Sequence, residues 1–250
     1  MKSIVFYILL IFFINTCLFG QNDFETPYDL SYGKEITLST IGLGTLTAAY
    51  ILSKKKEPLS PEIILGLDRN EINKFDRRAT FNWSKKASRA SDVFLISSMV
   101  LPFVLFSGEN VREDYGRFLL LGAESFIMNT GLTDLTKEIA QRKRPFVYNP
   151  DVPMSEKTNK SATTSFFSGH TSLSASSTYF FATTFTNYYP DSRWKPLVWS
   201  VSAVIPALTG FLRYWAGKHY FTDIIVGYVV GAAAGILVPT LHNKSLKFNR

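Results

Sequence analysis

The chain has 250 residues, a formal charge of +7, 46% hydrophobic residues and 21 phenylalanines; a chain this apolar has the means to bury a core and is not an intrinsically disordered protein. The hydrophobicity is gathered in long runs separated by charged stretches, and Lys and Arg lie between those runs rather than along one soluble face. This argues for a membrane protein that meets anionic headgroups or phosphorylated substrates, and against a nucleic-acid binder. The single cysteine, Cys17, excludes an intrachain disulfide and a thiolate metal site.

Residues 1–20 (MKSIVFYILLIFFINTCLFG) place one Lys before an apolar stretch and a polar QND after it, the order of a secretory signal. Gly20 suits the last position before a cleavage, whereas Leu18 is larger than the residue usual two positions earlier, so the segment reads as either a signal peptide or an uncleaved signal anchor. Six further stretches, 35–53, 92–108, 115–136, 170–188, 195–213 and 221–241, are each near the length a bilayer demands and predict an all-α, six-transmembrane-helix bundle. The chain then divides into the leader 1–20, a first membrane helix with a basic segment over 35–91, a catalytic core over 92–241 and a basic tail over 242–250.

Between the first two membrane stretches, residues 54–89 carry ten Lys or Arg, a turn at Pro58 to Pro61 and apolar Ile63, Ile64, Leu67, Ile72 and Phe75. An interfacial amphipathic helix and a solvated loop are equally compatible with that pattern. The fourth membrane stretch (TSLSASSTYFFATTF) is rich in Ser and Thr, which predicts that it faces other helices rather than lipid. The sixth carries Gly227, Gly231 and Gly235 at four-residue spacing, one bare face that another helix can approach closely. Pro102, Pro206 and Pro239 fall within apolar runs and predict kinks.

Three short motifs carry chemistry. Lys137 and Arg144, in KEIAQRKRP, stand seven residues apart, close to two helical turns, and predict two cations on one face at the end of the third membrane helix. Ser168-Gly169-His170 stands just before the fourth helix, where unpaired N–H groups, the positive end of the helix dipole and a glycine would cradle a phosphate. Arg213, His219 and Asp223, in RYWAGKHYFTD, lie between the fifth and sixth helices, and the four-residue spacing of His219 and Asp223 lets a carboxylate orient an imidazole and stabilise its charge. Each motif alone has a bland reading, as a snorkelling cation, a capping turn or a satisfied histidine. Six-helix threading, however, puts all three at one membrane face. Two of the three histidines belong to this set, and His242 reads as part of the tail. No metal-ligand cluster is legible, so no metal cofactor is expected.

Together these residues resemble the type 2 phosphatidic acid phosphatases, whose catalytic core is shared with vanadium haloperoxidases and glucose-6-phosphatase. The family pattern Lys-x6-Arg-Pro is complete in Lys137 to Arg144-Pro145. Pro-Ser-Gly-His reads Phe167-Ser168-Gly169-His170, and Ser-Arg-x5-His-x3-Asp reads Leu212-Arg213 through His219 to Asp223. The resemblance spans residues 90–241 and implies a membrane lipid phosphatase without a cofactor. In it His219 attacks phosphorus, Asp223 holds its ring, and His170 protonates the leaving oxygen. Lys137, Arg144, Arg213 and the backbone at Ser168 and Gly169 would hold the phosphoryl oxygens. Phe167 and Leu212 depart from the pattern without removing a proton-transfer group. A vanadate-dependent haloperoxidase and a catalytically silent membrane protein are the competing expectations.

The implied partners are the bilayer and a lipid phosphate, with no nucleic acid and no obligate protein partner, and the implied location is a bacterial cytoplasmic membrane. Two signals oppose each other on the side of the site. A cleaved leader followed by a spanning 35–53 puts it, with the basic 54–89 segment, in the cytoplasm, whereas the basic tail and the habit of bacterial relatives put it on the outer face, the reading adopted here.

Overall fold

The structure, a computed structural model, describes residues 26–247; the leader lies outside the described residues. It is all-α: among the described residues there is no strand, and one isolated bridge joins Tyr28 to Asn243. Six long helices follow one another: α1 (Tyr32–Lys55), α2 (Lys85–Val100, continued by a 3₁₀ stretch Leu101–Ser107), α3 (Tyr115–Ala140), α4 (Gly169–Tyr188), α5 (Lys195–Trp215) and α6 (Phe221–Leu241). They correspond one to one with the six stretches expected from sequence. The largest boundary difference is at α2, which starts at Lys85 because Ser84 caps it, its hydroxyl accepting the Ala87 N–H at 3.1 Å.

Tyr32–Lys55, Lys85–Ser107, Lys195–Trp215 and Phe221–Leu241 are long and apolar enough to cross a membrane. They present Ile36, Ile51, Ile96, Phe103, Leu208 and Val229 to the outside, each about half exposed or more. Water would penalise that surface and lipid does not, so the chain is a multi-pass integral membrane protein.

The helix richest in Ser and Thr sits in the middle. α4 packs against α2, α3, α5 and α6, and its hydroxyls find partners there: Ser172 Oγ donates to Asn129 Oδ1 at 2.5 Å and Thr178 Oγ1 to the Ser202 carbonyl at 2.9 Å. The small side chains also let α6 come close. A Cβ at Gly227, Gly231 or Gly235 would stand 2.6, 2.0 and 2.3 Å from the carbonyl oxygens of Ser168, Ser172 and Ser176. The glycine stripe therefore fixes the height of the α4 N-terminus against α6.

Two expectations need correction. Residues 57–84 form neither one interfacial helix nor a solvated loop. They fold into short turns, among them Pro61–Leu65, Lys74–Arg77 and the 3₁₀ turn Arg78–Phe81, that cap the ends of α3, α5 and α6. Ile64 is buried with Phe146, Val147, Val152 and Ala162, and the Asn82 amide donates to the Tyr214 carbonyl at 3.1 Å. Hydrophobic periodicity could not show this, because the apolar anchors Ile64 and Ala79 sit in separate short turns and their partners lie far along the chain. His242, read from the sequence as a bland part of the tail, is fully buried, and chain 26–29 holds it in place through the Asp29 N–H to the His242 carbonyl at 2.8 Å.

Candidate active site

All eight predicted site residues gather at one end of the bundle, where α3 and α5 finish and α4 and α6 begin. The route taken by the first motif differs from the expectation. Lys137 and Arg144 do not share a helical face, because α3 stops at Ala140 with Gln141 in the left-handed region, φ 42°. Pro145 then keeps Arg144 extended, at φ −73° and ψ 153°. Lys137 leaves from the last turn of α3 and Arg144 from the following loop, where its Nε donates to the Ser161 carbonyl at 2.8 Å and its Nη2 to Thr164 Oγ1 at 3.1 Å. Burial, reinforced by the neighbouring Arg213 charge, holds the Arg144 guanidinium down at about 9.

At the start of α4, Ser168 is the N-cap and fully buried. Its hydroxyl sits 2.8 Å from Thr171 Oγ1 and its N–H donates to the Asp223 carbonyl at 3.0 Å. The Ser168 backbone N–H is thus engaged, contrary to the expectation that it binds phosphate. The N–H groups of Gly169 and His170, in the first turn of α4, are the ones no intrahelical carbonyl can reach. A Cβ at Gly169 would stand 2.6 Å from Lys137 Nζ and displace that ammonium from its place beside the α4 N-terminus.

Arg213 is nearly buried in α5. Its Nη1 reaches Ser88 and Ser91 hydroxyls at 3.4 and 3.3 Å, while its Nε has no hydrogen-bond partner among the described residues, a donor left over for an anion.

His219 is 1% exposed. Its Nδ1 lies 2.7 Å from the Ser165 carbonyl, which can only accept, so Nδ1 carries the proton and the lone pair is on Nε2. Burial, then the charges of Arg144, Arg213, Lys137 and His170, hold its pKa well below the ordinary histidine value, so the ring is neutral at neutral pH. Asp223 is 3.6 Å from Nδ1, beyond hydrogen-bond range, so the carbonyl and not the carboxylate orients the ring. The carboxylate remains close enough to stabilise positive charge on it. Asp223 also caps α6 by accepting the Tyr220 N–H at 2.9 Å.

Four participating residues were not legible in the motifs. Arg142 bridges Asp223 at 2.5 Å and Asp76 at 2.8 Å, donates to the Thr222 hydroxyl at 2.8 Å and lies over the Tyr220 ring. Asp76 reaches in from the cap and accepts the Thr222 N–H and hydroxyl at 3.1 and 2.6 Å. Burial opposes its charge, but the hydrogen bonds from Thr222, Arg142 and Asn73 prevail and hold its pKa below the usual carboxylate value. Asp92, in α2, accepts from His170 Nε2 at 2.8 Å and stands 3.9 Å from Arg213. Lys218 stands over the rings of Trp83 and Phe146, and burial together with Arg144 and Arg213 brings its ammonium down to about 8. Two had a signal, Arg142 as one of three cations in QRKRP and Lys218 as the residue before His219 in RYWAGKHYFTD.

A buried neutral imidazole with a free Nε2, ringed by Lys137, Arg144 and Arg213, can attack an anionic electrophile. A second imidazole held by a carboxylate can transfer a proton beside it. The sequence matches the PAP2 superfamily over residues 118–247. A solved structure of a transmembrane PAP2-type phosphatidylglycerolphosphate phosphatase from Bacillus subtilis is similar to the chain at 19% identity, covering 96% of each chain, with a TM-score of 0.43. No curated protein sequence matches it.

Proposed function

Because the chain belongs to the PAP2 superfamily and is a phosphoric ester hydrolase, we propose that it hydrolyses a lipid phosphate monoester or diphosphate through a phosphohistidine on His219, with no metal at the reaction centre. The observation that carries the reading is the state of His219: neutral, its proton directed to Ser165, and its lone pair among three cations.

Nε2 of His219 attacks phosphorus, the bond to the leaving oxygen breaks, and His170 supplies that oxygen with a proton. Water, relieved of a proton by His170, then attacks phosphorus, the P–N bond breaks, and its electron pair returns to Nε2. Phosphoryl transfer depends chiefly on positioning and on compensating charge on the equatorial oxygens. Lys137, Arg144, the free Nε of Arg213 and the N–H groups of Gly169 and His170 supply that charge. Asp223 offsets the positive charge that builds on His219.

A lipid substrate is favoured by a groove of about 370 Å³ between α2, α3 and α4, lined by apolar side chains including Met99, Phe103, Phe118, Phe126 and Phe180. The volume is within the range of small-molecule sites. It also touches Ser176, six residues down α4 from His170, or about 9 Å along the helix. An acyl chain there would leave its phosphate at the cluster.

The test is phosphate release in detergent from a panel of phosphatidate, phosphatidylglycerol phosphate and a polyprenyl diphosphate, with His219→Ala alongside. Release by the parent, a trapped acid-labile phosphoprotein and an inactive variant are expected. Substantial release by His219→Ala would refute the nucleophile assignment, and release only from soluble phosphates would refute the lipid substrate.

A further inference from the structure

At the opposite end of the bundle stands a second cluster with no part in this chemistry: Glu35 in the first turn of α1, Glu124 in α3 and His242 just after α6. All three are buried. Thirteen residues of α3 separate Glu124 from Lys137, about 20 Å at the helical rise. We propose that Glu35, Glu124 and His242 bind one divalent transition-metal ion of the Zn²⁺ type, which ties α1, α3 and the end of α6 together.

Three observations support the site. The first is its geometry. One ligand atom from each residue lies within 4.8 Å of the others, with His242 Nε2 at 3.2 Å from Glu35 Oε2 and 3.8 Å from Glu124 Oε2. Tetrahedral zinc with ligands near 2.0–2.1 Å has edges of about 3.3 Å, so one edge is already formed and the others close by a small movement of flexible side chains.

The second is the histidine. His242 Nδ1 lies 2.8 Å from the Val238 carbonyl, so Nδ1 donates, and Nε2, which faces Glu35 Oε2 at 3.2 Å, is the nitrogen left for a second proton or a metal ion. A cation belongs between Nε2 and that oxygen, a proton in the metal-free cluster and the metal ion in the loaded one. A backbone carbonyl on the remote nitrogen is also how metal-ligating histidines are normally held.

The third is Glu124. It is 4% exposed, its Oε2 stands 3.8 Å from His242 Nε2, and neither carboxylate oxygen has a hydrogen-bond partner among the described residues. A buried carboxylate without a donor is expensive. Lys34 is the nearby cation, but its ammonium donates to the carbonyls of Leu241 and Asp29. Charge balance points the same way, because two carboxylates and one neutral imidazole are neutralised by a single divalent ion. Without metal, the cluster needs two protons to reach the same balance.

The experiment uses the full chain in detergent without a polyhistidine tag, stripped with a chelator, dialysed against Zn²⁺ and assayed for bound metal and thermal unfolding. The parent should hold one more equivalent than Glu124→Gln, which keeps the shape of the side chain. Zn²⁺ should raise the unfolding temperature of the parent and not of the variant, and His242→Gln should bind at least about tenfold more weakly. Phosphate release reports that each variant is folded, and its initial rate should not change when the ion is removed. Equal Zn²⁺ binding by the parent and Glu124→Gln, or none by an active parent, would overturn the proposal and leave a proton-sharing cluster.

Discussion

Replacing Arg142 by Met should damage catalysis without touching substrate. The guanidinium bridges Asp223 at 2.5 Å and Asp76 at 2.8 Å; both carboxylates are fully buried, while the arginine side chain is 26% exposed. Removing one partner of a buried pair costs about 3–5 kcal/mol, because the other charge is left uncompensated. The low end applies here. Asp223 keeps the Ser165 hydroxyl and the Tyr220 N–H, and Asp76 keeps Thr222 and Asn73. If the loss reaches the transition state through a displaced or protonated Asp223, about 3 kcal/mol corresponds to about 10²-fold in kcat. KM should stay unchanged, since Arg142 points to the two carboxylates and not to the phosphate cations. The assay is steady-state phosphate release by Arg142→Met, Asp76→Asn and the double variant, which should lose less than the sum of the singles by about 0.5–3 kcal/mol. A kcat for Arg142→Met within about threefold of the parent, under about 0.7 kcal/mol, or strictly additive losses, would refute the reasoning.

His170→Ala should lower kcat by about 10² to 10⁴; Asp92→Asn should lose less, and the double variant no more than His170→Ala, because Asp92 acts through that ring. An additive double variant would show a separate role for Asp92. The Lys218 ammonium, held down at about 8, is charged at neutral pH and discharged above, so KM for the anionic substrate should rise as pH passes about 8. An unaltered alkaline rise in Lys218→Met would assign it to another group. The lowered pKa of His219 puts the acidic limb of kcat/KM below the ordinary histidine value of about 6.5, and a limb above it would contradict the neutral nucleophile. Gly231→Ala places a Cβ 2.0 Å from the Ser172 carbonyl and should destabilise by about 1–3 kcal/mol or more, with activity falling as α4 shifts. Gly33→Ala meets nothing within 4 Å and should be tolerated in thermal unfolding.

Much of the site was legible because its chemistry is written in short motifs. Ser168-Gly169-His170 is contiguous, and His219 and Asp223 are separated by one helical turn. The partners of those residues come from distant segments, and no spacing rule connects them. Asp76 sits in a basic stretch whose periodicity suggests only a surface, and Asp92 lies inside an apolar run. The Ser165 carbonyl that orients His219 is backbone, so no side-chain pattern could reveal it. For the same reason the ring is oriented by the Ser165 carbonyl and not, as expected, by Asp223: a four-residue spacing brings two groups near each other and does not decide which acceptor is nearest.

By itself, then, the sequence determined the number and order of the six long helices, through runs of apolar residues that only lipid or a core can satisfy. It also determined the eight residues that meet at one end, through motif chemistry. The tertiary structure decided the rest. It showed that α3 ends before Arg144 yet the following loop still delivers that side chain, that the basic segment folds over the site to bring Asp76 to Arg142, and that His242 is buried against Glu35 and Glu124. Each of these depends on contacts between segments tens to hundreds of residues apart, and such contacts are settled by packing and charge pairing in three dimensions rather than by local pattern.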